Sequence, residues 1–546
     1  MKEKSVFKWI YTHCGGRLKE GVVLVLLNAW SALCVTIFAV LSKRVMDSAQ
    51  VGDKEELIKN SVFLFCLIIS QILARVIASL VEAISQGKAE INLRTSVFFN
   101  ILRGNYADYV EKHSGDLMTR LTADVQMVRD NYVHIFPTAI AFFVRIFSGA
   151  IALYHIDKGF AMVFMVCGVL VVIFAAISRK YLKKLHRSVQ EKDSRVRSFM
   201  QEMLENLFAV KVFGIEEKVI NRSIRQQKRF YREKVKKKSF SIIAGIGFSL
   251  AFAVGFLAAV AYGSYGVLNG TMTFGAVVAI VQLVNQLQSP VVGITGVLPA
   301  FFAMTTSAQR LMEICNENIE AVEDVGINYN DFVKIKVRDA VFGYGDEKVF
   351  SDASFTVNKG EFIGIHGPSG AGKSTVLKLI TGLYPVDGGK VTVETKHGEY
   401  DCKKTRKLFS FVPQGNMLFS GTIRENLTIL NPGATEEEIR NALVVAAAEF
   451  AYDLEDGLDF MLGESGAGIS EGQAQRIAIA RAILANSGVL LMDESTSALD
   501  AETEKIVIDN LQKKEDITVI IITHREAVLD KCDRLITVAN GKIEEK

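Results

Sequence analysis

The sequence predicts an α-helical six-span membrane bundle followed by an α/β domain that is built around a phosphate-binding loop. Three observations predict this combination. The chain has 546 residues and is 49% hydrophobic, which is high for a soluble protein. Six long apolar runs lie within the first 316 residues. The motif G-x-x-x-x-G-K-S then follows a short apolar run at 362–365.

Each of the six apolar runs is close to the ~20 residues that a helix needs to cross a bilayer. The runs are 21–42, 60–83, 135–155, 160–178, 241–263 and 275–304. Two long polar segments, 86–134 and 179–240, separate them, and the second ends in the basic run 234–238. The positive-inside rule therefore places both long segments and both termini in the cytoplasm. The basic stretch 228–238 favours a solvated helix face beside membrane lipid headgroups over a specific lipid site.

Polar side chains within the runs leave two readings open. Arg75 and Arg145 are costly in lipid unless they face protein or water, so they either line a transport pathway or form a structural ion pair. One polar helix face in the last run is formed at i, i+3, i+4 and i+7 by Gln282, Asn285, Gln286 and Ser289. That face either lines the pathway or makes hydrogen bonds between helices.

Composition excludes several classes of function and marks a boundary. The formal net charge is only +3, which gives no indication of a nucleic-acid partner. Seven scattered cysteines predict neither a metal site nor a disulfide framework. An acidic, non-periodic stretch follows the last apolar run. We therefore expect a transmembrane domain at 1–316, a linker at 317–332 and a nucleotide-binding domain at 333–546.

The phosphate-binding loop lies between a predicted strand, 362–365, and a predicted helix, 376–383. Its residues are Gly367, Pro368, Ser369, Gly370, Ala371, Gly372, Lys373, Ser374 and Thr375. The glycines allow successive backbone N–H groups to turn towards phosphates, and the helix adds the positive end of its dipole. Lys373 should pair with the β- and γ-phosphates, and Ser374 should bind Mg²⁺. This half of the chain is thus predicted to be a P-loop ATPase domain.

Three further predicted strands end in polar residues that suit phosphoryl chemistry. The strand 488–492 delivers Asp493, which is expected to organise Mg²⁺, and Glu494, which is expected to be the general base. The strand 519–523 ends at His524, which is expected near the γ-phosphate. Gln414 follows a third strand, from which its amide oxygen can reach Mg²⁺ or the attacking water. Tyr344 precedes the phosphate loop and is a candidate for stacking on a purine.

The order of these parts resembles a known family. Ile469-Ser-Glu-Gly-Gln473 resembles the signature of ABC ATPases, usually L-S-G-G-Q, and the segment 497–500 resembles their D-loop. Tyr344, Gln414 and His524 match the family's A-loop, Q-loop and H-loop positions. The segments 113–124 and 199–216 resemble the two cytoplasmic-loop motifs of the exporter branch. The resemblance covers essentially the whole chain, which is similar to an ABC exporter half-transporter.

The resemblance implies a dimer, because each ATP is then held between one chain's phosphate loop and the other chain's signature. The residues that it places against the partner's nucleotide are Ser470, Gly472, Gln473 and Asp500. It also implies ATP and Mg²⁺ as cofactors. The expected function is ATP-hydrolysing export of a small molecule, peptide or lipid across the membrane by alternating access of a dimer of half-transporters.

Several alternatives stay open at this point. All catalytic positions are present, which favours a homodimer, but a heterodimer with a related half remains possible. Glu471 stands where the family usually has glycine, and its effect on the site is open. An ATP-gated channel or sensor and a solute importer are the other classes considered. The substrate cannot be read from the sequence, and the expected location is a bacterial inner membrane with the ATPase domain in the cytoplasm.

Overall fold

The structure is a computed structural model, and the chain in it forms two compact units. It describes the backbone of all residues except 1–2, 17, 111, 113, 316–318, 321–324, 346, 416, 515, 540 and 546. For some further residues the structure describes the backbone but not the side chain. These are 3–5, 18, 170–172, 175–176, 179, 288–289, 291–292, 294–296, 298 and 465. The helical unit comprises Met1–Leu102 and His113–Asn316, and the sheet unit comprises Arg103–Lys112 and Glu317–Lys546. The predicted linker therefore lies partly outside the described residues, as does the side chain of Ser289.

The described residues up to Cys315 are almost entirely helical. The helices are α1 Glu3–His13, α2 Leu18–Val51, α3 Lys54–Arg103, α4 Tyr106–Val110, α5 Ser114–Thr119, α6 Val125–Ile156, α7 Lys158–Glu205, α8 Leu207–Val212, α9 Glu216–Leu268 and α10 Phe274–Cys315. A short π-helix, Arg120–Asp124, connects α5 to α6. Of these elements, α4 belongs to the sheet unit, together with the last residue of α3.

Each of the six predicted apolar runs lies within one long helix: α2, α3, α6, α7, α9 or α10. Among the residues that the structure describes, four helical stretches can cross a membrane by length and composition: Lys19–Val51, Lys54–Arg103, Ser114–Ile156 and Glu216–Leu268. Shorter apolar stretches, Lys158–Val169 and Phe274–Leu287, are found in the described parts of α7 and α10. A helical transmembrane region is confirmed, and its count of six spans stays a prediction.

The longest helices exceed what a bilayer requires. The 53 residues of α9 span about 80 Å at a rise of 1.5 Å per residue. The hydrocarbon core is only about 30 Å thick. The basic half of α9, from Glu216 to Lys238, is therefore free to continue beyond the membrane, as the sequence pattern predicts.

A hydrogen-bond network joins three of the long helices, α2, α6 and α10. Gln286 of α10 is buried and donates through Nε2 to Oγ1 of Thr36 in α2, at 2.7 Å. The hydroxyl of Thr36 is also 2.8 Å from that of Ser148 in α6. Asn285, one residue earlier, is exposed. The predicted polar face is thus divided, and Gln286 makes the interhelical contact.

The sheet unit is an α/β domain. Its strands are β1 Phe332–Tyr344, β2 Glu347–Asn358, β3 Phe362–His366, β4 Gly388–Thr395, β5 Gly398–Asp401, β6 Phe409–Val412, β7 Gly421–Thr422, β8 Met461–Leu462, β9 Val489–Asp493, β10 Thr518–Ile522, β11 Arg534–Ala539 and β12 Lys542–Glu545. Its further helices are α11 Lys373–Ile380, α12 Ile423–Thr428, α13 Glu436–Val445, α14 Glu471–Leu484, α15 Ala501–Gln512 and α16 Glu526–Leu529.

Ten strands form one sheet in the order β5-β4-β1-β2-β12-β11-β3-β10-β9-β6. Its central part is parallel: β3 pairs with β11 and β10, and β9 pairs with β10 and β6. All four residues of β10 that pair with β3 are buried hydrophobic residues, as expected for strands covered on both faces. Because parallel strands end at one edge, the residues that follow β3, β6, β9 and β10 meet there.

Candidate functional site

The phosphate loop follows β3 at this carboxyl edge, and its backbone requires glycine at three positions. Gly367, Gly370 and Gly372 have φ angles of 149°, 78° and 97°. These values lie in the region that L side chains rarely adopt. A Cβ atom on Gly367 would also come within 2.1 Å of the carbonyl oxygen of Val538. The loop therefore has the curved backbone that a phosphate-binding loop needs, and it opens directly into the N-terminus of α11.

Lys373 begins α11 and is buried, and its ammonium group is turned back onto the loop. Its Nζ atom donates to the carbonyl oxygens of Gly367 and Pro368 at 3.1 and 3.0 Å. The cation is thus held against the same turn of backbone that would surround the phosphates. This is the placement expected for the lysine that pairs with β- and γ-phosphates.

The next residue, Ser374, contacts the end of β9. Its Oγ donates to Oδ1 of Asp493 at 2.9 Å. Asp493 is only 5% exposed, and burial raises the pKa of its carboxyl group above the usual range. The hydrogen bond from Ser374 acts in the opposite direction, and the charge of Glu494 adds to the increase. A buried carboxylate beside a hydroxyl is a set of hard oxygen donors that suits Mg²⁺.

Glu494 follows β9 and contacts residues that follow two other strands, β6 and β10. Its Oε2 accepts a hydrogen bond from Nε2 of Gln414, after β6, at 3.0 Å. Its Oε1 lies 3.3 Å from Nε2 of His524, after β10. Glu494 has a φ of 46°, a left-handed value that is uncommon for residues other than glycine. The backbone strain and the two side-chain contacts fix the carboxylate at the carboxyl edge of the sheet, as expected at a catalytic position.

Tyr344 lies at the end of β1 and is exposed. It contacts α11, the helix that follows the phosphate loop. Its hydroxyl is 3.3 Å from Oγ1 of Thr375 in α11. Its ring makes edge contacts with Phe342 and Tyr384, with ring centroids 5.0 and 5.4 Å apart. The aromatic ring predicted to stack on a purine is therefore supported from two sides and open on another.

The signature residues form a separate part of the site. Ser470 and Gln473 make a reciprocal capping box at the start of α14, where the side chain of each bonds the other's backbone N–H. Asp500 caps α15 by accepting from the backbone of Glu502 and Thr503. Those hydrogen bonds also lower the pKa of Asp500. The capping bonds keep these polar side chains at two helix N-termini, which are favourable places for an anion.

Gly472 and Glu471 occupy the first turn of α14. A Cβ atom on Gly472 would lie 2.9 Å from the carbonyl oxygen of Ala498, so the residue allows the signature to approach the D-loop. Glu471 is exposed at the same turn, where its negative charge interacts favourably with the positive end of the helix dipole.

Sequence reasoning missed contacts that the structure shows beside this site. Tyr384 follows α11, is 7% exposed and contacts both Tyr344 and Tyr106 of α4. Glu320 binds Arg406 through two hydrogen bonds of 2.7 Å and Lys403 at 3.1 Å. An aromatic residue just after the phosphate-loop helix was the available signal for Tyr384. The residues around Glu320 gave none.

The first cytoplasmic-loop motif has a role within the helical unit. Asp124 is buried at the end of the π-helix and accepts from the hydroxyl of Ser307 at 2.8 Å. Arg310 also binds this carboxylate. Arg120, at the start of the π-helix, donates to the carbonyl oxygen of Arg310 at 2.7 Å. The motif therefore fastens the C-terminal end of α10 to the beginning of α6.

A bundle of apolar helices and a P-loop α/β unit with this arrangement of acids define a membrane-bound nucleotide hydrolase. The chain belongs to the ABC transporter family. The family model for the ABC transporter transmembrane region matches residues 22–291, and the ABC transporter model matches residues 350–497. The chain is accordingly an ATPase whose hydrolytic activity is coupled to transport.

Known proteins share this organisation. An uncharacterized ABC transporter ATP-binding protein of Bacillus subtilis, YknU, is 30% identical over 84% of this chain and 80% of its own length. The ABC-type oligopeptide transporter ABCB9 of Mus musculus is 26% identical over 94% of this chain and 69% of its own length. The solved structure of a bacterial Atm1-family ABC exporter with ATP bound has a TM-score of 0.80 at 22% identity. The matched region covers 97% of this chain and 95% of the exporter chain. The chain therefore has the fold of an ABC exporter.

Proposed function

We propose that two of these chains form an exporter in which each ATP is held between one chain's phosphate loop and the other chain's signature. The capping box that holds Ser470 at the start of α14 supports this, because that helix end offers backbone N–H groups to an anion. A single chain carries one phosphate loop and one signature. A homodimer is the simplest assembly that completes both sites.

In this proposal Mg²⁺ accompanies the nucleotide, and Ser374, Asp493 and the amide oxygen of Gln414 are the residues that would hold it. When bound, the ion would neutralise charge on the phosphates. Gln414 donates to Glu494 through its nitrogen, which leaves its amide oxygen for other contacts. The raised pKa of Asp493 results from burial, and a nearby cation would favour its charged form.

The residues of the chain divide the hydrolytic step among themselves. Lys373 and the loop N–H groups bind the phosphates and hold the γ-phosphate for attack. Glu494 accepts a proton from the attacking water, whose oxygen forms a bond to the γ-phosphorus as the bond to ADP breaks. Gln414 and His524 orient that carboxylate through contacts of 3.0 and 3.3 Å. The single observation that carries this assignment is the convergence of the three side chains.

The second cytoplasmic loop supports the presence of a partner chain. Its tip, α8 and the turn after it, exposes large apolar side chains in an otherwise polar segment. Phe208 is 81% exposed and Phe213 is 70% exposed. Exposed aromatic residues of this kind mark protein contacts. We infer that this tip docks on the ATPase domain of the other chain, so that closure of the two motors moves the attached helices.

The helical unit contains a cavity of about 280 Å³, lined in part by charged side chains, that we propose as part of the substrate pathway. Arg75 of α3 and Arg145 of α6 both line it. Glu82 supplies the one carboxylate of the lining, and it is already hydrogen-bonded to His134 and Gln86. Two guanidinium groups in one cavity favour a substrate with an anionic group, such as a carboxylate of a peptide or a phosphate of a lipid.

Complementation between two defective chains tests the proposed dimer. Lys373→Ala removes phosphate binding, and Ser470→Ala removes the signature serine. Mixed dimers have one site with both defects and one intact site. We expect each variant alone to be inactive and co-expressed chains, purified through two different tags, to regain ATPase activity. Mixed dimers that form but stay inactive would contradict the shared-site arrangement.

A further inference from the structure

A chain of aromatic rings connects the base-stacking residue Tyr344 to α4, the short helix that follows α3. The ring centroids of Tyr344 and Tyr384 are 5.4 Å apart at an interplanar angle of 89°. Those of Tyr384 and Tyr106 are 5.7 Å apart at 82°. Both are edge-to-face pairs, the arrangement that aromatic rings prefer. Tyr384 is thus the shared contact between the purine platform and α4.

Tyr106 lies in a segment that comes from the other half of the chain. The segment 103–112 follows α3, which begins at Lys54, and it packs within the sheet unit. Ala107 lies against the sheet unit's core, whereas Tyr106 is 44% exposed. Tyr106 contacts Tyr384 and so joins this segment to the aromatic rings. Tyr106 itself is not part of the nucleotide site.

The start of the segment is fixed by a second set of contacts, which we call the Glu320 clamp: Glu320, Arg406 and Lys403. The backbone N–H of Glu320 donates to the carbonyl oxygen of Arg103 at 2.7 Å. Gly104 forms an antiparallel bridge with Ile319. Lys403 also donates to Oδ1 of Asn105 at 3.3 Å. Because residues 103–105 are held in this way, Tyr106 meets Tyr384 in a defined position.

Tyr344 is attached to the phosphate loop as well. Its hydroxyl contacts Thr375 of α11, and its ring contacts Tyr384. A purine that stacks on Tyr344 therefore restricts a ring that is already in contact with Tyr384. The phosphates of the same nucleotide are bound separately, by the loop and by Lys373.

We propose that Tyr384 and Tyr106 are positioning residues that hold Tyr344 for the purine, so that base recognition is linked to the placement of segment 103–112. Linkage is reciprocal: if this segment stabilises the base platform, bound nucleotide stabilises the segment to the same extent. The proposal rests on the nucleotide site and adds two residues through which recognition of the base, apart from the phosphates, is linked to segment 103–112.

Binding of ATP and of inorganic triphosphate, each with Mg²⁺, tests the proposal by titration calorimetry. Glu494→Gln serves as the background so that ATP is not consumed. We expect Tyr106→Ala to raise the Kd for ATP by about two- to tenfold, the size of an aromatic pair interaction, with triphosphate binding unchanged. Tyr106→Phe keeps the ring and should bind ATP normally. Tyr452→Ala is the matched control, because this partly exposed ring contacts Arg440 instead.

A double-variant measurement separates linkage from general destabilisation. In a chain that already carries Tyr344→Ala, Tyr106→Ala should cause no further loss of ATP affinity. The proposal is wrong if Tyr106→Ala leaves the Kd for ATP unchanged, or weakens ATP and triphosphate equally. A site that failed altogether would bind neither ligand in the parent chain, so failure of the nucleotide site is distinguishable. Tyr384→Leu, which removes the ring but keeps much of the buried side-chain volume, is the second variant and should also weaken ATP binding while leaving triphosphate binding unchanged.

Discussion

Nε2 of Gln414 donates a hydrogen bond of 3.0 Å to Oε2 of Glu494, although the two residues follow different strands of the sheet. The contact orients the carboxylate that is assigned as general base. It also fixes which end of the Gln414 amide faces Glu494, since only the nitrogen can donate. A residue placed in this way affects the chemical step more than nucleotide binding.

We therefore expect Gln414→Ala to lower kcat by about 10²-fold, because small displacements of reacting groups have effects of this size. The KM for ATP should stay within a few-fold of the parent value, since phosphate binding is left to the loop. Steady-state ATPase kinetics provide both numbers. A rise in KM with unchanged kcat would show that Gln414 acts in binding instead.

Lys373 should decide nucleotide affinity. Its ammonium group lies on the phosphate loop, so Lys373→Ala should weaken ATP binding at least about tenfold, as expected for loss of a charged hydrogen bond. Lys378→Ala is the matched control, because Lys378 lies in the same helix but outside the phosphate loop. Equilibrium binding with labelled ATP makes the comparison. Equal affinities of the two variants would exclude the assigned role.

The Glu320 clamp should contribute to stability in a pH-dependent way. Burial acts to raise the pKa of Glu320, but hydrogen bonds and charge from Arg406 and Lys403 outweigh it and lower the pKa. A carboxyl group whose pKa is lowered by folding stabilises the native state above its unfolded pKa of about 4.3. This stabilisation is lost as the pH falls through the folded value.

Glu320→Gln should accordingly lower the free energy of unfolding at pH 7 by about 1.5–3 kcal/mol, the range for hydrogen bonds to charged groups. The difference between the two proteins should shrink as the pH is lowered below about 4.3. Urea denaturation at several pH values measures it. Glu399→Gln, in a more exposed pair on β5, should have a much smaller effect. A Glu320→Gln difference that is constant with pH would contradict the ionic role.

The parts of the site that sequence could predict are those encoded in short motifs. The phosphate loop, Asp493 with Glu494, and His524 each follow a recognisable strand, and the parallel order of β3, β9 and β10 brings them to one edge. The six helices were predictable because apolar runs of bilayer length have few alternatives. Local pattern was sufficient wherever one segment carries both the element and its function.

The parts that could not be predicted depend on contacts between distant segments. Tyr106 and Tyr384 belong to different halves of the sequence, and no local pattern pairs them. The polar face of α10 gave two readings that only packing separates: Gln286 is buried against Thr36, whereas Asn285 is exposed. The docking of segment 103–112 in the sheet unit likewise follows from tertiary contacts, such as the bridge between Gly104 and Ile319.

ATPase activity of the purified chain alone in lipid, compared with Glu494→Gln, tests the central claim most directly. We predict sustained hydrolysis by the parent chain. The variant should retain ATP binding but lose about 10²- to 10⁴-fold in kcat, the usual contribution of a general base. That result would show that one kind of chain builds complete sites and that Glu471 is tolerated in the signature. Hydrolysis by Glu494→Gln at the parent rate would contradict the mechanism, and a folded parent chain that binds ATP without hydrolysing it would contradict the homodimer.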